Sequence, residues 1–173
     1  MKIYFKYIAL AIVSLLFNIF VYITSPLWAL IAALFNINKL PGILSWVHTQ
    51  DNDIYGQPDM PPAPTNFKER FKTAVWWLCR NPGYGFDSRV LGFKSSDITS
   101  QVLVKEFGSF NSGKTAVRYD TISVKGKKYF SYRRDQSLGR GRYIKMWFGW
   151  HNGLDQNGYR MLKIAFNPFK KLK

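Results

Sequence analysis

Residues 7–35 contain no charged side chain, and this run limits the chain more than any other feature. Sixteen of its positions are Leu, Ile, Val or Phe. Near a bilayer centre each such residue contributes roughly −0.3 to −0.6 kcal/mol, so insertion gains on the order of 5 to 10 kcal/mol. Ser14, Asn18, Thr24 and Ser25 subtract from that without reversing it. A membrane segment follows. A cleaved signal peptide fits less well. "MKIYFK" is a basic start, but the apolar run is too long and no small-x-small site comes after it.

The run is interrupted by "TSP" at residues 24–26. Proline has no backbone N–H, and in a continuous helix the ring of Pro26 meets the carbonyl of Tyr22. Ser25 is a good N-cap, and proline is favoured at the first helical position after a cap. The sequence therefore predicts a break at Ser25–Pro26, with one helix over 3–23 and a second over 26–35. Those lengths are about 31 Å and about 15 Å, against a hydrocarbon core of about 30 Å. Three arrangements follow: one kinked span, a span plus an interfacial helix, or a re-entrant hairpin. Lys2, Lys6 and Lys39 flank the run on both sides, which favours both ends on the cytoplasmic side. Residues 1–38 are thus expected to be a broken or re-entrant anchor.

Charge is unevenly placed. The net charge is +15, yet residues 1–60 balance Lys2, Lys6 and Lys39 against Asp51, Asp53 and Asp59. The remaining 22 Lys and Arg face only 7 Asp and Glu over residues 61–173. A greasy neutral head on a basic body calls for an anionic partner: a lipid surface, a nucleic acid or an acidic protein.

Residues 39–64 read as an interfacial helix followed by a proline-rich connector. Leu40, Ile43, Leu44 and Val47 share a helical face, with Trp46 beside them as a membrane-interface residue. "DNDIYG" resembles the start of a calcium loop, but Tyr55 and Pro62 stand where oxygen ligands belong, so a structural turn is expected. "QPDMPPAP" is expected to run extended. Residues 65–94 read as a basic amphipathic helix. Thr65 or Asn66 caps it, and Phe67, Phe71, Ala74, Val75 and Leu78 form its apolar stripe. Lys68, Arg70 and Lys72 lie off that stripe, ready for an anionic surface, and Trp76 and Trp77 are placed at the membrane interface. Packing of this helix on the β-domain is the competing expectation. Cys79, the one cysteine, excludes an internal disulfide and reads as a small buried apolar residue.

Residues 95–173 change to a period of two. "QVLVKEF", "TAVRYDTISV", "KKYFSYRRD", "RYIKMWFGW" and "RMLKIAF" read as five strands of an antiparallel meander with one buried and one basic face. "KGK" and "DQNG" are expected as hairpin turns, and "SFNSGK" and "SLGRGR" as longer loops. The basic side holds Arg140, Arg142, Lys145 and Lys163, with Lys170 and Lys171 in the tail, as the anionic-surface residues. Tyr132, Tyr143 and Trp147 accompany them. That mixture also suits single-strand nucleic acid, which is the alternative partner. The fold class is α+β.

No catalytic, cofactor or metal set is predicted. His48 and His151 are the only histidines, and no triad, P-loop or dinucleotide motif is present. An activity is not expected, and no cofactor.

Taken in order, "HTQDNDIYG", "WWLCRNPGYGFD", "GRYIKMWFGWH" and "FNPFKK" resemble an uncharacterised family of small membrane proteins encoded by tailed bacteriophages. The resemblance implies a gene product acting at the host inner membrane and carries over no functional residue. The combined expectation is a non-enzymatic membrane-anchored protein. Its basic cytoplasmic domain binds anionic lipids or a host membrane protein.

Overall fold

Pro26 does not break the first helix. In the computed structural model, which describes residues 2–48, 53–56, 64–151 and 158–171, helix α1 runs unbroken from Lys2 to Phe35 with Pro26 inside it. The expected break at Ser25–Pro26 is therefore corrected, and the local chemistry gives the reason. Pro26 leaves the Tyr22 carbonyl without its helical donor. Ser25 Oγ donates to that same carbonyl at 2.9 Å. One turn away, Thr24 Oγ1 donates to the Phe20 carbonyl at 2.7 Å and accepts from Trp28 Nε1 at 2.7 Å. The residues that read as a cap are a repair. Without the break, α1 holds 34 residues and is about 51 Å long.

A short 3-10 helix spans Gly42–Val47, where an interfacial α-helix was expected. Leu40 and Val47 turn inward, while Ile43 is 70% exposed and so leaves the anticipated face. Helix α2 (Phe67–Arg80) begins with Asn66, whose side chain accepts from the Glu69 N–H at 3.0 Å. Most of the expected stripe is used, with Ala74 and Leu78 fully buried and Phe71 and Val75 packed beside them, while Phe67 at the start of the helix is exposed. It packs on α1 and not on the sheet. Asn18 lies against Gly83 and Ser25 against Cys79, so the two helices run antiparallel. Small residues on α1, namely Ser14, Ser25, Ala29, Ala32 and Ala33, form the packed face and let the backbones approach. Gly83 (φ 65°) makes the closest approach: a Cβ there would sit 2.1 Å from Asn18 Oδ1. Helix α3 (Tyr84–Arg89) follows at once.

The rest is strand. A two-residue strand β1 (Phe93–Lys94) pairs with β6 (Tyr159–Arg160). The main sheet has β2 (Ile98–Phe107), β3 (Ala116–Val124), β4 (Lys127–Gly139), β5 (Arg142–Trp150) and β7 (Leu162–Lys171), all antiparallel in the order β2-β3-β4-β5-β7. This is the anticipated five-stranded α+β arrangement. "SLGRGR" is not a longer loop. β4 continues to Gly139, and a two-residue turn at Arg140–Gly141, both with positive φ, leads into β5. Lys125–Gly126 makes the other tight turn, again with both φ positive, as a right-twisted hairpin prefers. The "DQNG" turn and the proline-rich connector fall largely outside the described residues.

Two apolar cores result. One joins Tyr7 of α1 to Phe130, Trp150 and Leu162 of the sheet and to Leu91 and Phe93. The other joins Val21, Ala29 and Ala32 of α1 to Ala74 and Leu78 of α2, and to Leu40, Val47 and Ile54.

Candidate membrane-binding surface

α1 has two faces of different fate. The packed face touches the body along nearly all its length. Tyr7 donates its hydroxyl to the Lys163 carbonyl at 2.8 Å. Asn18 Nδ2 faces Asp87 Oδ2 at 3.5 Å. Ser25 Oγ and Cys79 Sγ are 3.2 Å apart, and Tyr55 donates to the Ala32 carbonyl at 2.9 Å. The opposite face carries Phe5, Ile8, Ile12, Leu16, Ile19, Ile23, Leu27, Leu34 and Phe35, all exposed. Scattered exposed apolar residues are ordinary, but a continuous stripe about 45 Å long is not. By length and composition α1 is also able to cross a membrane.

The apolar surface continues beyond α1. Tyr119, Tyr132, Phe148 and Ile164 lie in register across β3, β4, β5 and β7 on one side of the sheet. Tyr4, Tyr7 and Ile8 meet that row around an almost wholly apolar cleft of about 370 Å³. Tyr132 is thus on the apolar side of the sheet, which corrects its expected place among the basic residues. Parity decides this: Arg133 is opposite Trp147, so Tyr132 is opposite Phe148.

The other side of the sheet is cationic, and two buried carboxylates organise it. Asp120 is fully buried, taking Arg118 Nε at 2.9 Å, Arg118 Nη2 at 3.2 Å and Gln101 Nε2 at 3.0 Å. Asp135, also fully buried, accepts from the Asn111 N–H at 2.8 Å and lies 3.6 Å from Arg133. Trp147 stands among Lys145 at 4.9 Å, Arg133 at 5.1 Å and Lys163 at 5.8 Å from its ring, and its ring centre lies 4.1 Å from that of His151, tilted by 39°. Burial, then the neighbouring Arg133, pulls the Lys145 ammonium below its ordinary pKa. Tyr143 is buried beneath this face and faces Asn111 Oδ1 at 3.5 Å.

The structure divides the predicted anion-binding residues into separate groups. Lys145 and Lys163 flank Trp147, and Lys170 adds to the positive field at Lys145. Arg140, Arg142 and Lys171 line a shallow hollow at the β4–β5 turn with Leu138 and Gly139. Lys68, Arg70 and Lys72 sit on the first turns of α2, towards the far end of α1 from the sheet. The three tryptophans also differ. Trp76 is 53% exposed, with Arg80 over its ring at 5.0 Å. Trp77 covers Gly56, whose φ is 113° and whose Cβ would lie 2.4 Å from Trp77 Nε1. Trp46 rests near Phe86, which stacks on Phe17 of α1. Trp77 and Trp46 are therefore half-buried against other parts of the chain.

Sequence reasoning missed Asp87, Asp120 and Asp135. A signal existed for Asp120: it is in phase with Ala116, Ile122 and Val124, the buried face of β3. Asp87 had none, because its neighbours Ser14 and Asn18 lie about 70 residues away on α1. Burial pushes the Asp87 carboxyl up to about 6, and hydrogen bonds from Ser14 and Asn18 only partly offset this. Among the described residues, no three His, Cys, Asp or Glu side chains converge as a metal site would require.

A long apolar N-terminal helix packed on a second helix and on a five-stranded antiparallel sheet defines a small α+β protein. The chain belongs to DUF7338, a family of unknown function whose model matches residues 1–173. Comparison with curated proteins and with solved structures finds no match.

Proposed function

We propose that the protein is a non-enzymatic membrane-surface protein in which α1 lies in the plane of the bilayer interface. The observation that carries this reading is the spread of contacts along α1. From Tyr7 to Ala32 there are 25 helical steps, about 38 Å, over which the body packs against one face. A hydrocarbon core is about 30 Å thick. A transverse α1 would drag Asp87 and Arg80, or part of the sheet, into lipid at a cost of several kcal/mol per charge. Lying flat, α1 buries its exposed stripe in the acyl boundary and leaves the body in water. This replaces the broken or re-entrant anchor and keeps its main consequence, both ends on one side. The surface proposed is the cytoplasmic leaflet of the host inner membrane during phage infection, on the strength of the flanking lysines and the family resemblance. Lys2 at the start of α1 and Lys68 and Lys72 on the first turns of α2 would hold anionic headgroups, each contributing about 1 kcal/mol near the surface, whereas Lys145 and Lys163 lie on the side of the sheet opposite the apolar row. A host membrane protein is the second partner proposed. Single-strand nucleic acid is disfavoured, since Tyr132 faces away from the basic side and Tyr143 is buried.

Spin labels on single cysteines at Ile12, Ile19, Ile23 and Leu30, in a Cys79→Ala background, test the geometry in anionic vesicles. One shallow depth for all four supports the in-plane helix. A depth that rises to the bilayer centre and falls again would overturn it. Introducing Leu16→Glu with Ile23→Glu should abolish co-flotation with vesicles while leaving the packed face intact.

A further inference from the structure

The membrane reading does not use a cationic cleft of about 490 Å³ on the other side of α3. Its walls come from separate stretches of chain. Arg89 ends α3, Lys94 lies in β1, Lys127 and Tyr129 open β4, and Tyr159 lies in β6. Asp97 is its one carboxylate, and it is already paired with Lys125 at 2.9 Å. Three cations, Arg89, Lys94 and Lys127, therefore face the cleft with no anion in an ion pair to them among the described residues. Lys6 of α1 adds a fourth positive charge at its edge, 4.0 Å from the Tyr129 ring centre.

The backbone holds this gathering in place. Gly92 passes where a Cβ would meet the Ser88 carbonyl at 2.2 Å and the Arg160 carbonyl at 2.4 Å. That close passage, and the pairing of Lys94 with Tyr159, bring β1 beside the end of α3. The Ser95 N–H donates to the Gly158 carbonyl at 2.8 Å, closing the corner. The tight Lys125–Gly126 turn then delivers Lys127 from the main sheet. Like charges do not collect on four segments without cost, and an anion relieves it.

We propose that this cleft binds a phosphate monoester dianion, carried on a lipid headgroup or free in solution. Three cations with no ion-pair partner among the described residues match a dianion better than the single charge of a phosphodiester. Arg89 Nη1 already donates to Ser45 Oγ at 3.2 Å, so its remaining guanidinium N–H groups would serve the phosphate oxygens, and the lysines supply point charges. Tyr129 and Tyr159 form the flat sides against which the rest of a headgroup or small molecule would rest. The volume falls in the range of small-ligand sites, about 300–1,000 Å³. The proposal stands apart from the placement of α1, because no residue of the exposed apolar stripe enters it.

The test uses the full chain. One arm titrates inorganic phosphate and glycerol phosphate into protein in uncharged detergent micelles by calorimetry. The other measures binding to uncharged nanodiscs doped with phosphatidic acid, a monoester, or with phosphatidylglycerol, a diester. Saturable binding in the first arm assigns a free phosphate. Binding confined to phosphatidic acid in the second assigns a lipid headgroup. In either case Lys94→Gln with Lys127→Gln should weaken binding at least tenfold. The equal charge loss of Lys105→Gln with Lys114→Gln, two exposed lysines outside the cleft, should leave it unchanged. Asp97→Asn should tighten it, because Lys125 is released. No saturable binding in either arm overturns the proposal. So does an equal loss in both double variants, which would reduce the effect to net charge. Phosphate binding that persists when vesicle flotation fails would sink the membrane reading and leave the cleft standing.

Discussion

Ser25 Oγ donates to the Tyr22 carbonyl, the acceptor that Pro26 leaves without a partner four residues on. The residue before the proline thus makes the hydrogen bond that the proline cannot. A carbonyl cut off from water in lipid or detergent and left unsatisfied costs about 1–3 kcal/mol. Ser25→Ala should destabilise the protein by about that much, measured by thermal or denaturant unfolding in detergent. In a Pro26→Ala background the new N–H at position 26 serves the same carbonyl, so the Ser25→Ala cost should fall below about 1 kcal/mol. The contact with Cys79 is lost in both backgrounds and cancels in the cycle. Equal costs in the two backgrounds would show that Ser25 acts through Cys79 and not through the helix.

Arg118 makes two ion pairs of opposite worth. Its Glu106 partner is 48% exposed at 3.2 Å, and its Asp120 partner is fully buried at 2.9 Å. Exposed pairs contribute about 0–1 kcal/mol, whereas removing one partner of a buried pair costs about 3–5 kcal/mol. Glu106→Ala should therefore leave the unfolding midpoint nearly unchanged. Asp120→Ala should lower it severely, since Arg118 and Gln101 lose their acceptor beneath the sheet. Similar effects from the two variants would contradict the burial of Asp120.

Asp87 titrates near 6, above the ordinary carboxylate value of 3.8. The folded state then holds this proton more tightly than the unfolded chain. Its contribution to stability is greatest below about 4 and is lost as pH rises through about 6. The loss amounts to about 3 kcal/mol at neutral pH. Two buried acceptors, Asp87 Oδ1 and Asn18 Oδ1, have no hydrogen-bond partner among the described residues, which agrees with a site that favours one more proton. Lys163 lowers the Asp87 value only as a weaker effect. Asp87→Asn should raise stability at pH 7 and flatten the fall between pH 4 and 7. A variant that is less stable than the parent at pH 7 would mean the carboxylate is held favourably after all.

Much of the architecture was legible in residue order. The alternation in "TAVRYDTISV" and "RYIKMWFGW" marks two of the five strands, and Lys125–Gly126 marks a hairpin, because strand parity and turn conformation are local properties. The stripe of α2 and its Asn66 cap are local for the same reason. The break at Ser25–Pro26 was misread because cap and repair use the same serine, and only the acceptor distinguishes them. Tyr132 was misplaced because the two sides of a half-buried strand differ by one residue of parity.

The sequence by itself determined that the chain has an apolar helix of membrane length, a basic body and an antiparallel sheet. Those follow from hydrophobic run length, charge count and period. Tertiary structure alone decided that α1 is covered on one side for about 38 Å, since that depends on contacts from residues 55, 79, 87 and 163. It alone decided that Asp87 is buried and that Arg89, Lys94 and Lys127 meet around one cleft. Burial and convergence are properties of packing, and no local pattern encodes which distant segments will meet.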